Sequence, residues 1–263
     1  NGMRQHNPLV NHWLAFYTYG AGGWQQVSKI DLPSPDYIYP DAVKQVAIEA
    51  ERIWLQIDGG AGAHSGVFSL VSFDGKALKL EIEHGSSSPG GSRVVDLNGD
   101  KLSDVVLDGT DYYVFCYACG LRYFDYTVLS WDGTKLVEVK LAPLPASAPA
   151  DVCAAANKAV SLAQAGLWKD AQAASAAVTS RDATAVWNAA LIKLHAEPFA
   201  RQAAEGPYPL LDHVFYGDYA AALNVMRAHT PEKLDASAVI HAFLQEMAFP
   251  PEQLWQPELA REA

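Results

Sequence analysis

Apolar and polar positions along this chain change rhythm near its middle. The first half carries short runs rich in aromatic and β-branched residues: WLAFYTYG, ERIWLQI, GVFSLVSF, LKLEIE, VVLD, YYVFCYA, DYTVLSW and LVEVKL. Such runs read as strands, because branched and aromatic side chains pack well on a pleated surface. Turn residues separate them: Gly20 to Gly23, Asp58-Gly59-Gly60, Asp74-Gly75, Asp108-Gly109 and Asp132-Gly133. Asp41 to Glu51 also fits a short helix, since Ala42, Val43, Val46, Ala47 and Ala50 fall at helical spacing.

The strand half contains an internal match. VSFDGKALKLEI at Val71–Ile82 parallels LSWDGTKLVEVK at Leu129–Lys140, with an aromatic residue, Asp-Gly, two spacers, then Leu and an alternating strand. Each copy predicts a hairpin. A fainter copy precedes both, at Phe16–Val27.

APLPASAPA, at 142–150, marks the change of rhythm and reads as a linker. After it Ala and Leu recur three and four apart, as in helices packed through small residues. Asp151 is a candidate N-cap. Pro198 and the Pro207/Pro209 pair are expected to break the helical pattern. A last amphipathic helix follows Pro231. Gly166-Leu167-Trp168-Lys169-Asp170-Ala171 and Gly217-Asp218-Tyr219-Ala220-Ala221-Ala222 share the form Gly-x-aromatic-x-x-Ala. The expected fold class is α+β with segregated halves. Residues 1–145 would form an all-β domain of two to three blade-like units, and residues 151–263 an all-α domain of helical hairpins.

Charge narrows the partners. Lys plus Arg number 19 against 30 Asp plus Glu, for a net charge of −11 over 263 residues. Without a basic stripe, nucleic acid and anionic membranes are poor partners. No apolar run is long enough for a membrane-spanning helix. The opening at Asn1-Gly2 lacks an initiator Met, as in a processed or trimmed chain, and is compatible with an exported precursor. Cys116 and Cys119 form a Cys-x-x-Cys pair, open to a short-range disulfide, plain thiols, half a zinc site or redox chemistry.

The richest local chemistry lies in VVDLNGDKLSDVVL, Val94–Leu107. Asp96, Asn98 and Asp100 alternate, and Asp104 follows. Clustered carboxylates repel unless a cation sits among them, and calcium takes six to eight oxygen ligands. A hairpin turn with solvated acids is the alternative. Catalytic signatures are missing. The eight His form no paired arrangement, Ser65 lacks a nucleophile-elbow spacing, and Gly59–Gly62 is followed by no phosphate-loop Lys. Glu81, Glu83, Asp36 and Asp41 are candidate carboxylates. Tyr112, Tyr113, Tyr117, Tyr123 and Tyr126 fit either a sugar or peptide groove or a second sheet layer.

The acidic loop resembles the calcium loop of FG-GAP and VCBS-type repeats, and the match extends from Val94 to about Leu141. The resemblance implies side-chain ligands from Asp96, Asn98, Asp100 and Asp104, and a main-chain carbonyl from Leu102. Lys101 stands where the family has Gly, at a position that favours positive φ. Weak calcium binding is therefore expected, on the order of 10⁻⁴ to 10⁻³ M. The two Gly-x-aromatic-x-x-Ala segments resemble the hinges of tetratricopeptide repeats. Their separation, from Gly166 to Gly217, exceeds that family's usual period of about 34 residues. Together these imply a non-enzymatic extracytoplasmic binding or scaffold protein, with a structural calcium ion and a helical region that takes a protein or peptide. The alternative is a secreted hydrolase acting on carbohydrate or peptide at the domain junction.

Overall fold

The computed structural model describes residues 12–114, 120–145, 148–205 and 209–228. Cys116, Cys119, Tyr117, His6, His229, His241 and the expected helix after Pro231 lie outside them. The chain forms two compact units, Asn1–Pro207 and Tyr208–Ala263.

In the first unit, β1 (His12–Gly20) and β2 (Gly23–Leu32) form a hairpin sheet. Next come β3 (Tyr37–Val46), β4 (Ile53–Ala61), β5 (Ser65–Phe73) and β6 (Leu78–Ser86), an antiparallel meander. A second meander follows, of β7 (Arg93–Val95), β8 (Asp104–Asp108), β9 (Tyr126–Trp131) and β10 (Leu136–Glu138). Helices α1 (Ala150–Gln164), α2 (Trp168–Ser175) and α3 (Ala183–Glu205) complete the unit. The second unit contains α4 (Pro209–Phe215) and α5 (Tyr219–Ala228). No helix among the described residues is long and apolar enough to cross a membrane.

Strand alternation decides the layering, because successive side chains point to opposite faces. On β8, Val105 and Leu107 join Trp54, Phe68 and Leu70 of the first meander. Val106, between them, points the other way, and with Val128 packs against Leu191 and Leu194 of α3. The first meander is covered on its far face too: Ile57, Val71 and Phe73 pack against Leu14, Phe16 and Ile30 of the hairpin. Phe16 stacks on Phe73 with ring centroids 4.1 Å apart.

This layering overturns the expected division into an all-β domain and a separate all-α domain. The fold is mixed α+β, with ten strands in three sheets followed by five helices among the described residues. The sheets and the first three helices share one unit because the second meander has an apolar face on each side. Without α3, Val106 and Val128 would face water. Polar links reinforce the packing. Buried Asn188 on α3 donates to the Ala142 carbonyl at 2.7 Å and accepts from the Ala142 amide at 3.0 Å. Gln202 donates to the Gly120 carbonyl at 2.9 Å.

Local expectations divide. Asp41–Glu51 is not a helix; β3 runs to Val46 and pairs with β4 across an irregularity between Ile38 and Val43. The neighbouring strand's hydrogen bonds outweigh the helical spacing, and Asp41 takes φ 60° at the irregularity. Asp151 does not cap α1; Pro149 is the N-cap, and Asp151 lies in the first turn, where its charge complements the helix dipole. Asp182 provides the cap of α3 instead, its Oδ1 accepting from the Thr184 amide at 2.8 Å. Pro198 lies inside α3 and does not end it.

The matched hairpins have the same turn. Asp74 Oδ1 accepts from the amides of Lys76 and Ala77, and Asp132 Oδ1 from those of Thr134 and Lys135. These bonds hold both carboxyls below their ordinary pKa. The two glycine hinges also share a geometry. Gly166 and Gly217 take φ 76° and 74°. Leu167 and Asp218 donate back to the carbonyls of Leu162 and His213, the longer bond of a Schellman turn. The Ala that ends each motif, Ala171 and Ala222, is buried.

Replacing Asn188 with Ala strands both polar groups of Ala142. The expected loss is about 1–3 kcal/mol, read as a lower urea midpoint. An unchanged midpoint would show that Asn188 does not fasten α3 to the chain that leaves the sheet.

Candidate metal centre

The loop between β7 and β8 holds the residues that the sequence suggests as ligands: Asp96, Asn98, Asp100 and Leu102, with Asp104 at the start of β8. Its backbone is wound tightly around its own side chains. Asp96 accepts from the Gly99 amide through Oδ1 at 2.7 Å and from the Lys101 amide through Oδ2 at 3.0 Å. Asn98 Oδ1 accepts from the Asp100 amide at 2.9 Å, and Asp100 Oδ1 from the Leu102 amide at 2.8 Å. Asn98 Nδ2 also donates to Asp100 Oδ2 at 2.8 Å. Gly99 and Lys101 take φ 79° and 75°. Lys101 thus adopts the left-handed conformation expected of its position, despite its Cβ.

The loop is anchored at its far end. The Ser103 amide donates to the Ala47 carbonyl at 3.0 Å, which ties the loop to the first meander. Asp104 follows and is 1% exposed. Its Oδ2 accepts from the Leu97 amide at 3.1 Å. Burial raises the Asp104 pKa, and the charges of Asp100 and Asp96 add to the effect; the Leu97 amide and the Ser130 hydroxyl oppose it.

The structure therefore brings Asp96, Asn98 and Asp100 into one hydrogen-bonded ladder at the surface, with Asp104 buried beside them. The Leu102 side chain is exposed. Among the described residues, no three His, Cys, Asp or Glu side chains are grouped so as to hold a metal ion. The loop's carboxylate oxygens instead accept from its own amides and from Asn98. Each oxygen has a further lone pair.

The other candidates are engaged in the fold. Glu81 accepts from Ser72 and pairs with Lys79, both at 2.7 Å, while Glu83 Oε2 accepts from the Ser34 hydroxyl. Asp36 Oδ2 accepts from the Gly62 amide at 2.8 Å. His84 bonds the Asp108 carbonyl at 3.0 Å. His195 is buried, stacks on Trp168 at 4.2 Å and bonds the Leu191 carbonyl; burial lowers its pKa. Tyr112 and Tyr126 line a cavity together with Arg93, Arg122 and Arg201. No local motif marks these arginines, which come from distant parts of the sequence. No family model, curated protein or solved structure matches the chain.

Asp104 gives the fold a pH dependence of definite sign. An acid whose folded-state pKa is raised holds its proton more tightly in the fold. Its stabilising contribution is complete below the ordinary value of 3.8 and is lost as pH rises through the raised value. Without added calcium, urea midpoints of the wild type should fall over that window, and Asp104→Asn should flatten the fall. Parallel profiles would assign the dependence to other groups.

Proposed function

We propose that this chain is a non-enzymatic binding and scaffold protein of the extracytoplasmic space, in which a calcium ion on the 96–104 loop clips β7 to β8. The observation that carries the reading is the backbone of the loop. Lys101 is held at positive φ by its bond to Asp96, in the turn that the resemblance to calcium loops requires. Asp96 and Asp100 place charge beside Asp104, whose burial already opposes ionisation. A cation there relieves this repulsion, and the free lone pairs of the loop oxygens are its ligands.

Location follows from affinity. A site on the order of 10⁻⁴ to 10⁻³ M fills only where calcium is millimolar, outside the cytosol. The partner is a protein or peptide taken by the helices. Val214 of α4 and Tyr219, Leu223 and Met226 of α5 are exposed large apolar residues that support this reading.

Calcium at a few times its dissociation constant should stabilise the wild type by about 1 kcal/mol, seen as a rise in melting temperature. Magnesium should do less, because it demands a tighter octahedral shell. Asp100→Ala should remove the calcium response. A wild-type melting temperature indifferent to calcium would sink the clip.

A further inference from the structure

Beside β7 and the end of β8, α3 borders a cavity of about 480 Å³. Three of the chain's eight arginines line it: Arg93 on β7, Arg122 ahead of β9, and Arg201 on α3. Asp108 is the carboxylate in its wall. Among the described residues that line it, three guanidinium groups stand against one carboxylate, in a chain whose net charge is −11. Arg93 donates to the Gly91 carbonyl at 3.3 Å. Among the described side chains, the ion pairs involve neither Arg93 nor Arg201. With 30 acidic residues in the sequence, that is a local excess which an anion would neutralise.

The walls add shape to charge. The Arg122 guanidinium lies over the Tyr112 ring, 4.6 Å from its centroid, so its flat fork is oriented by stacking. Phe124 and Tyr126 contribute two more rings. A Cβ on Gly91 would overlap Asp108 Oδ2, so the wall beside the buried carboxylate takes a residue without a side chain. Planar guanidinium groups match the oxygens of carboxylates and phosphates, and the rings suit a flat apolar body.

We infer that this cavity binds a small aromatic molecule carrying a carboxylate or a phosphate group. The inference is independent of the calcium clip, since the cavity shares no residue with the 96–104 loop. Arg93 and Arg201 grip the oxyanion, and Arg122, fixed on Tyr112, sets its orientation.

Calorimetric titration of the full chain with phenyl phosphate, benzoate, inorganic phosphate and benzamidine tests this. One of the two aromatic oxyanions should bind saturably, and whichever does identifies the head group. Arg93→Ala and Arg201→Ala should each weaken that binding by about tenfold or more. Arg181→Ala, an exposed arginine away from the cavity, should leave it unchanged. Wild-type melting of each variant checks that it folds. The inference is overturned if neither aromatic oxyanion binds saturably at millimolar levels, if both cavity variants bind like wild type, or if benzamidine binds as well. Inorganic phosphate binding as tightly as phenyl phosphate would overturn the aromatic part.

Discussion

The structure depends on burying both faces of one sheet. In β8 all five residues from Asp104 to Asp108 are buried. Val105 and Leu107 serve one neighbour, Val106 the other. A sheet of this kind cannot stand with one face in water. It needs the first meander on one side and α3 on the other, and a helix recruited in this way becomes part of the sheet's core. Burial of a Val or Leu side chain stabilises by roughly 1.5–3 kcal/mol, so these few positions suffice to hold the layers together.

The same sheet sets the local chemistry. Its β7–β8 connection is short and acidic, and tight pairing on either side leaves Asp104 buried against the loop. Its opposite end brings Asp108 and Arg93 to the border of α3. The sequence carries acid in excess, yet the fold collects positive charge at that border. Net charge therefore says little about a particular cavity, because arginines far apart in the chain can meet across a layer boundary.

Much of the local geometry could be read from sequence. The Asp-Gly hairpins and the Gly-x-aromatic-x-x-Ala hinges were legible because each depends on a few adjacent residues: a carboxylate that bonds nearby amides, or a glycine at positive φ. The acidic loop was legible as a loop for the same reason. Long-range consequences were not. VVLD reads as a strand, but its residues do not disclose that both faces are covered, so the helices looked like a separate domain. Asp41–Glu51 carries helical spacing that pairing with β4 overrides. Pro198 breaks helices by local rules, whereas α3 continues through it, packed on the sheet by Leu191 and Leu194. Arg93, Arg122 and Arg201 share no motif, and only the docking of α3 beside β7 joins them.

The order of the layers has a consequence for biosynthesis. The hairpin, the two meanders and α3 stack in the same order in which they occur along the chain. Each layer emerging from the ribosome meets an apolar face left by the one before and leaves a new face for the next. Domains whose strands interleave must wait for distant partners, but here assembly can proceed as addition at a growing end. The vulnerable moment comes after β10 and before α3, when Val106 and Val128 are made but uncovered. A chain stalled there would present a sticky sheet face.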